Sequence, residues 1–416
     1  MSEQRTRHVV VGGGLAGAGA AAAIREADAD ASVTVLGEER HEPYERPGLS
    51  KDYLQGQSGA DGLLVHDRGW YAEHDVDLRT GTRVREVDRD AAEVVLDDGE
   101  RLGYDRLLLA TGSAPRPLPV DGADLDGVLT LRTREDSDAV RAAIDAGGPL
   151  VVVGAGWIGL EVASAARRAG VEVTVVHNAK VPLERVLGEV VGHRFADLAT
   201  AAGVRLVDGT QVARLHGDGT VGEVELADGT RLPAATVVVG VGITPRTELA
   251  EAAGLAVDDG VLVDAAFRTE DPRVFAVGDV ARAHNTWVGE QVRLEHYAAA
   301  SDGGPLAGRS MAGALREGEG WDSAPFFWSD QFGAGLEYRG LADPTRHHVV
   351  VRAAAPASDV GTPWFAFWHE AGRLVAGLHV DGWDDADTVK DLVTGRAEVD
   401  VARLADPQVP LGDVRV

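Results

Sequence analysis

The sequence predicts an α/β protein in which two similar strand–helix–strand units precede an α+β segment, and three observations predict it. Val9-Val10-Val11 runs into Gly12, Gly14 and Gly17 at GxGxxG spacing, followed by an alanine-rich stretch of helical character. The pattern recurs at Val151-Val152-Val153 with Gly154, Gly156 and Gly159. In the last hundred residues the pattern changes to alternating strands, and five of the eight tryptophans fall there: Trp321, Trp328, Trp364, Trp368 and Trp383. A β-branched strand that empties through glycines into a helix brings backbone N–H groups to a helix N-terminus, where a pyrophosphate binds. One such loop is weak evidence, but two predict two Rossmann-like dinucleotide-binding domains plus a C-terminal α+β domain.

Composition narrows the function. The 416 residues exceed one ordinary core, and 44% hydrophobic with 26% charged residues describes a globular chain of two or three domains. Forty basic against 67 acidic residues leave a net charge of −27, scattered along the chain, which argues against nucleic acid or an anionic membrane as a partner. Arg5, Arg7 and His8 before the uncharged run Val9 to Ile24 imitate a signal peptide, but the glycines of that run fit strand, loop and helix; the cytoplasm is the expected location. There is no cysteine, which excludes disulfides, thiolate catalysis and cysteine-ligated metals within the chain, and no metal site is expected.

Taken in order, His8 to Val11 is a strand, Leu15 to about Ala27 a helix, and Ser32 to Leu36 a strand leading to Glu38. Glu38 is an acid about 20 residues beyond the glycines, where a ribose hydroxyl needs an acceptor. The prolines of Glu42 to Lys51 disfavour regular structure until Ser50 can cap a helix. Arg79 to Leu96, a turn at Asp97-Asp98-Gly99 and Arg101 onward form a small antiparallel excursion. It closes on the buried strand Leu107 to Leu109, after which Ala110-Thr111-Gly112 lets the backbone pass close to something. Ser113 to Pro119 reads as a linker. Thr133 and Asp136 make a capping box for a helix to about Ala146, and Arg132 just before it is either a solvated charge or a ligand group.

The second unit starts at Val151 and continues through the strand Val171 to Val176. Thr236 to Gly242 repeats the strand-then-glycine pattern, and Ile243-Thr244-Pro245-Arg246 echoes Ser113-Ala114-Pro115-Arg116, so whole domains repeat. Val274 to Val277 is a buried strand ending in Gly278-Asp279, at the position where open α/β sheets bind ligands; a plain turn aspartate is the alternative. Trp364 to His369 and Arg373 to Val380 form a hairpin across Gly372, and most of the late tryptophans are expected in a core. The expected division is 1–113 with 245–322, then 114–244, then 323–416.

Together the motifs resemble a family: FAD-dependent, NAD(P)H-oxidising ferredoxin reductases that feed oxygenases and cytochromes P450, related to putidaredoxin and rubredoxin reductases. The resemblance spans nearly the whole chain. It rests on Val9 to Gly17, Arg46 to Lys51 (Arg-Pro-Gly-Leu-Ser-Lys), Leu109 to Gly112, Val151 to Glu161, Leu183-Glu184-Arg185, Val277 to Asp279, Glu295-His296-Tyr297 and Phe327 to Gln331 (Phe-Trp-Ser-Asp-Gln).

The resemblance implies that Gly12, Gly14, Leu15, Ala16, Gly17 and Glu38 hold the FAD pyrophosphate and ribose, with Val84 near the adenine. It implies that Arg46, Lys51, Ala110, Thr111, Gly112, Arg132, Gly278, Asp279, His296, Tyr297 and Trp328 line the flavin or its phosphates. Gly154, Gly156, Ile158, Gly159 and Gly242 then serve NADH or NADPH. Lys51 is implied to stabilise the negative charge of reduced flavin and to pair with Glu161, and the electron acceptor is an iron–sulfur ferredoxin. Without cysteine, the disulfide reductases and reactive-cysteine relatives that share both loops are excluded. A reductase of a small quinone or organic radical, or an interaction protein like the apoptosis-inducing flavoproteins, would use the same site.

Two departures stand out. Where NADH-preferring members carry an acid after the second unit's second strand, this chain has His177, Asn178, Ala179 and Lys180. His177 and Lys180 would not repel a 2′-phosphate, so NADPH is expected to be tolerated at least, unless both side chains point to solvent. Ser301-Asp302-Gly303-Gly304-Pro305 is expected to break or delay a helix. Arg309, Arg316, Arg339 and Arg346 are candidates for a basic patch that docks an acidic ferredoxin.

Overall fold

The computed structural model describes residues 5–416, which divide into two compact units: residues up to Glu45 with Gly59–Ala114 and Thr244–Pro325, and Arg46–Ser58 with Pro115–Ile243 and Phe326–Val416. The first unit is built on a five-stranded parallel sheet in the order Val274–Ala276, Arg106–Leu109, Arg7–Val11, Ser32–Leu36, Val76–Arg79. Val10, Val35 and Leu108 are fully buried because helices and loops cover both faces of such a sheet, which is why these strands read as unbroken apolar runs. The antiparallel excursion is present as Val84–Asp88, Glu93–Leu96 and Arg101–Gly103, with Gly99 at positive φ in the turn.

The helix Leu15–Ala27 packs against a second helix, Gly303–Met311, through small residues. The interruption expected at residues 301–305 is present but confined to Asp302. Tyr297–Ser301 and Gly303–Met311 are joined through Asp302, itself in right-handed helical geometry, so the glycines do not open the chain. A Cβ on Gly304 would stand 2.5 Å from the Ala16 carbonyl oxygen, and one on Gly308 would stand 2.4 Å from that of Ala20. Close backbone approach is a second reason for glycine at 304 and 308.

The second unit repeats the plan with the parallel order Arg205–Val207, Val173–Val176, Leu150–Val153, Thr236–Val239, Val128–Leu129. It also contains a five-stranded antiparallel sheet, ordered Phe326–Gln331, Ala334–Gly340, Arg373–Val380, Trp364–Glu370, His348–Ala353. One continuous core joins them, running from Val152, Leu160 and Phe195 to Phe327, Tyr338, Trp364 and Trp368. Trp157 meets Phe327 edge-on at 4.7 Å between ring centroids, and Phe195 meets Trp364 at 5.9 Å, a geometry in which ring edges face ring faces. Trp321 is instead buried in the first unit beside Phe267, and Trp383 is 54% exposed.

Local signals placed several elements well. Thr133 and Asp136 form the expected reciprocal capping box at the start of Arg134–Ala146. Ser50 caps nothing: it ends the short 3-10 turn Pro47–Ser50, and its hydroxyl serves the site described below. Ser113–Pro115, at the start of the expected linker, and Ile243–Pro245 are short strands, and the chain passes from one unit to the other at both.

Candidate functional site

Both glycine loops owe two of their three glycines to the chain itself. Gly12 has φ +129° and an added Cβ would stand 2.1 Å from the Ala110 oxygen; Gly154 has φ +108° and a Cβ there would stand 2.3 Å from the Gly240 oxygen. Cβ atoms on Gly17 and Gly159 would each stand 2.1 Å from the carbonyl oxygens of Gly12 and Gly154, respectively. The middle glycines differ: around Gly14 and Gly156 nothing lies within 4 Å of the added atom. Each is the N-cap of its helix, with no side-chain cap and no acid in the first turn. Each helix N-terminus, a positive end, therefore lies beside open space at its middle glycine, which fits the pyrophosphate of a dinucleotide in both units.

Around the first loop, Ala16 lies against Gly278, whose φ is +76°, and Gly278–Val280 form one 3-10 turn carrying Asp279. His296 keeps some exposed surface, but its ring is enclosed; burial pushes it down to about 4, with Asp279 acting in the opposite direction, so the imidazole is neutral at pH 7. The Tyr297 hydroxyl donates to Glu45 Oε1 at 2.8 Å, and burial followed by that carboxylate pushes its pKa up to about 12. Leu15 is half-buried at the start of the helix, and Val84 is buried at the start of its strand. Glu38 stands beyond its strand paired with Arg246 at 2.7 Å and Arg83 at 3.6 Å. The Thr111 hydroxyl is used within the fold, donating to the Arg246 carbonyl at 2.8 Å, and Gly112 takes positive φ.

The second unit holds the most enclosed charge cluster of the site. Glu161, on the helix Trp157–Arg168, is 3% exposed and lies 2.7 Å from Lys51 Nζ. Ser50 Oγ donates to Glu161 Oε2, Ser329 Oγ donates to Oε1 at 2.5 Å, and Gln331 Nε2 donates to Ser329 Oγ at 3.0 Å. Ser50, Ser329 and Gln331 were missed as site residues although they lie inside the Arg46–Lys51 and Phe327–Gln331 motifs. Arg46 donates to the Arg132 carbonyl at 2.5 Å, and the backbone N–H groups of Arg132 and Thr133 both bind Asp136 Oδ2 at 2.9 Å. Trp328 stacks on Phe326, which Arg339 covers at 4.4 Å.

At the second loop, Ile158 is 44% exposed on the first helical turn, and Gly242 takes positive φ after its strand. Both side chains expected not to repel a 2′-phosphate face a carboxylate. His177 is 6% exposed with Nε2 2.7 Å from Asp208 Oδ1, and Lys180 Nζ lies 3.0 Å from Glu189 Oε2. Of the proposed docking residues, Arg309 pairs with Glu319 at 2.6 Å and Arg346 is exposed. Among the described residues no helix is long and apolar enough to cross a membrane.

A doubled nucleotide cradle with a buried ion pair defines an oxidoreductase built for two dinucleotides. The chain belongs to the pyridine nucleotide-disulphide oxidoreductase family, whose model matches residues 6–304, and a reductase C-terminal model matches residues 326–415. It is 36% identical to putidaredoxin reductase of Pseudomonas putida, covering 98% of this chain and 96% of that one. It is 39% identical to the ferredoxin–NAD(+) reductase component of the anthranilate 1,2-dioxygenase system of Burkholderia cepacia, over 97% and 98% of the two chains. The crystal structure of the covalent putidaredoxin reductase–putidaredoxin complex superposes with a TM-score of 0.92 at 35% identity, over 99% of this chain and 98% of that one.

Proposed function

We propose that this chain is a flavoprotein ferredoxin reductase, passing electrons from NAD(P)H through FAD to an iron–sulfur ferredoxin that serves a monooxygenase or dioxygenase, and that it works in the cytoplasm. The observation that carries the reading is the buried Lys51–Glu161 pair beside a nucleotide cradle in a chain without cysteine. A relative named as the ferredoxin–NAD(+) reductase component of a dioxygenase system and another named as a putidaredoxin reductase, both alike over nearly their full length, support it.

The chemistry that bound FAD supplies is the conversion of a two-electron hydride donor into single-electron transfers. The residues of this chain contribute position and field. The first loop, with Leu15, Ala16, Glu38, Val84, Gly278 and Asp279, is assigned to FAD. The second loop, with Ile158 and Gly242, is assigned to NAD(P)H. Stabilising the negative charge of reduced flavin, the role assigned to Lys51, needs an ammonium held in place, and Glu161 with its serines holds it. The division into an FAD domain (1–113 and 245–322), an NAD(P)H domain (114–244) and a C-terminal domain (323–416) belongs to the same reading.

Anaerobic stopped-flow mixing of the holoenzyme with NADH or NADPH, followed by [2Fe–2S] ferredoxins, tests it. Fast flavin reduction followed by ferredoxin reduction is expected. Fast turnover with a quinone and none with ferredoxin, or very slow reduction with a long-lived charge-transfer complex, would overturn it.

A further inference from the structure

Beyond the second glycine loop, the strand Val173–Val176 ends in His177, and its neighbour Arg205–Val207 ends in Asp208. The two loops that follow are tied by backbone hydrogen bonds: His177 N–H to the Val207 carbonyl at 3.1 Å, Thr210 N–H to the His177 carbonyl at 3.1 Å, and Gly209 N–H to the Ala179 carbonyl at 2.9 Å. The same loop reaches the nucleotide cradle, because Gly154 N–H binds the Val176 carbonyl at 2.8 Å and Leu183 N–H binds the Ala155 carbonyl at 3.0 Å. So the carboxyl ends of three adjacent strands carry, side by side, the glycine loop, His177 and Asp208.

The His177 ring is buried, and its Nε2 approaches Asp208 Oδ1 at 2.7 Å, off the line of a hydrogen bond, while Nδ1 has no partner. The Asp208 side chain is 45% exposed, so the carboxylate is reached both by the ring and by solvent at the sheet edge. Lys180 does not offset this charge: its Nζ is held by Glu189 at 3.0 Å, and its backbone N–H by Glu184 Oε2 at 2.8 Å. Three carboxylates thus face one ammonium and one imidazole around the loop.

We propose that Asp208, oriented by His177, is the specificity-determining residue for the adenine ribose of the nicotinamide nucleotide. It supplies from the neighbouring strand the acid that this loop lacks at the end of its own strand. A carboxylate there accepts from the 2′- and 3′-hydroxyls and repels a 2′-phosphate. The proposal rests on the NAD(P)H-oxidising reading and reverses the expectation that His177 and Lys180 admit NADPH.

Two measurements on the FAD-loaded enzyme test it. The wild type should favour NADH over NADPH in kcat/KM by about tenfold or more, and Asp208→Asn should shift that ratio toward NADPH by about tenfold. Calorimetric titration with 5′-AMP and 2′-AMP reads the same pocket without turnover, and the variant should gain relative affinity for 2′-AMP. Equal use of both nucleotides by the wild type, or less than a twofold shift of both ratios in Asp208→Asn, overturns it. If the variant does not fold, the wild-type preference and its 5′-AMP to 2′-AMP affinity ratio still decide. Reduction by neither nucleotide would sink the reductase reading, while the adenosine phosphates would still report on Asp208.

Discussion

Ser329 Oγ and Lys51 Nζ converge on one atom, Oε1 of Glu161, at 2.5 and 2.7 Å. Their chain positions are far apart, and the carboxylate between them is shut away from water. An enclosed anion with three donors is favourable only as a complete set: removing one member leaves a charge or a lone pair unanswered.

Glu161→Gln should therefore cost about 3–5 kcal/mol, because Lys51 is left enclosed without its counter-charge. Ser329→Ala should cost about 1–3 kcal/mol, because Glu161 Oε1 loses a donor and Gln331 Nε2 loses its acceptor. Urea denaturation of the FAD-loaded protein measures both. Equal, negligible losses would mean that the cluster is solvated in solution.

The glycines of the first loop should separate by function. Gly17→Ala places a Cβ 2.1 Å from a backbone oxygen and should lower Tm sharply. Gly14→Ala meets nothing in the protein, so Tm of the apoprotein should hold while FAD retention, read from the flavin absorbance per chain, falls. Gly14→Ala protein that keeps full FAD would remove the pyrophosphate from this loop.

Acid sensitivity should begin near neutrality. His8 is buried with both ring nitrogens unpartnered, and burial pushes it down to about 4 from an ordinary 6.5. Between those values the unfolded chain binds the extra proton, so stability is lost as pH falls from 6.5 toward 4, by at most about 3 kcal/mol. His8→Val should flatten that part of the stability profile, measured by denaturant melts at several pH values. An unchanged slope would assign the loss to other groups.

Overpacking tests the helix pair in the first unit. Gly304→Val sets a branched side chain against Ala16, where a Cβ alone already stands 2.5 Å from the carbonyl oxygen, and should destabilise by about 1–3 kcal/mol or more. If Gly304 only interrupted a helix, an added side chain would stabilise it instead, and thermal melts would show the sign.

What the sequence disclosed were local codes. Strands of three or four β-branched residues, the glycine spacing and the Thr133–Asp136 box are each written within a dozen residues, and each appears as read. The partners of Glu161 lie 111 and 168 residues away on other elements, so no spacing rule announces Ser50 or Ser329. The carboxylates beside His177 and Lys180, Asp208 and Glu189, belong to other elements, so residues 177–180 do not disclose them. Gly303 and Gly304 were read by helix propensity, whereas Phe267 and Val277 crowd the first and the backbone of Ala16 crowds the second.

The doubled loop also alters what a glycine can testify to. The first and third positions would stay glycine in a descendant that had lost its nucleotide, since a neighbouring strand carbonyl and the loop's own carbonyl forbid anything larger. Only Gly14 and Gly156 are released by the protein and answer to something outside it. In a lineage drifting away from either cofactor, those two positions would be the first to acquire side chains.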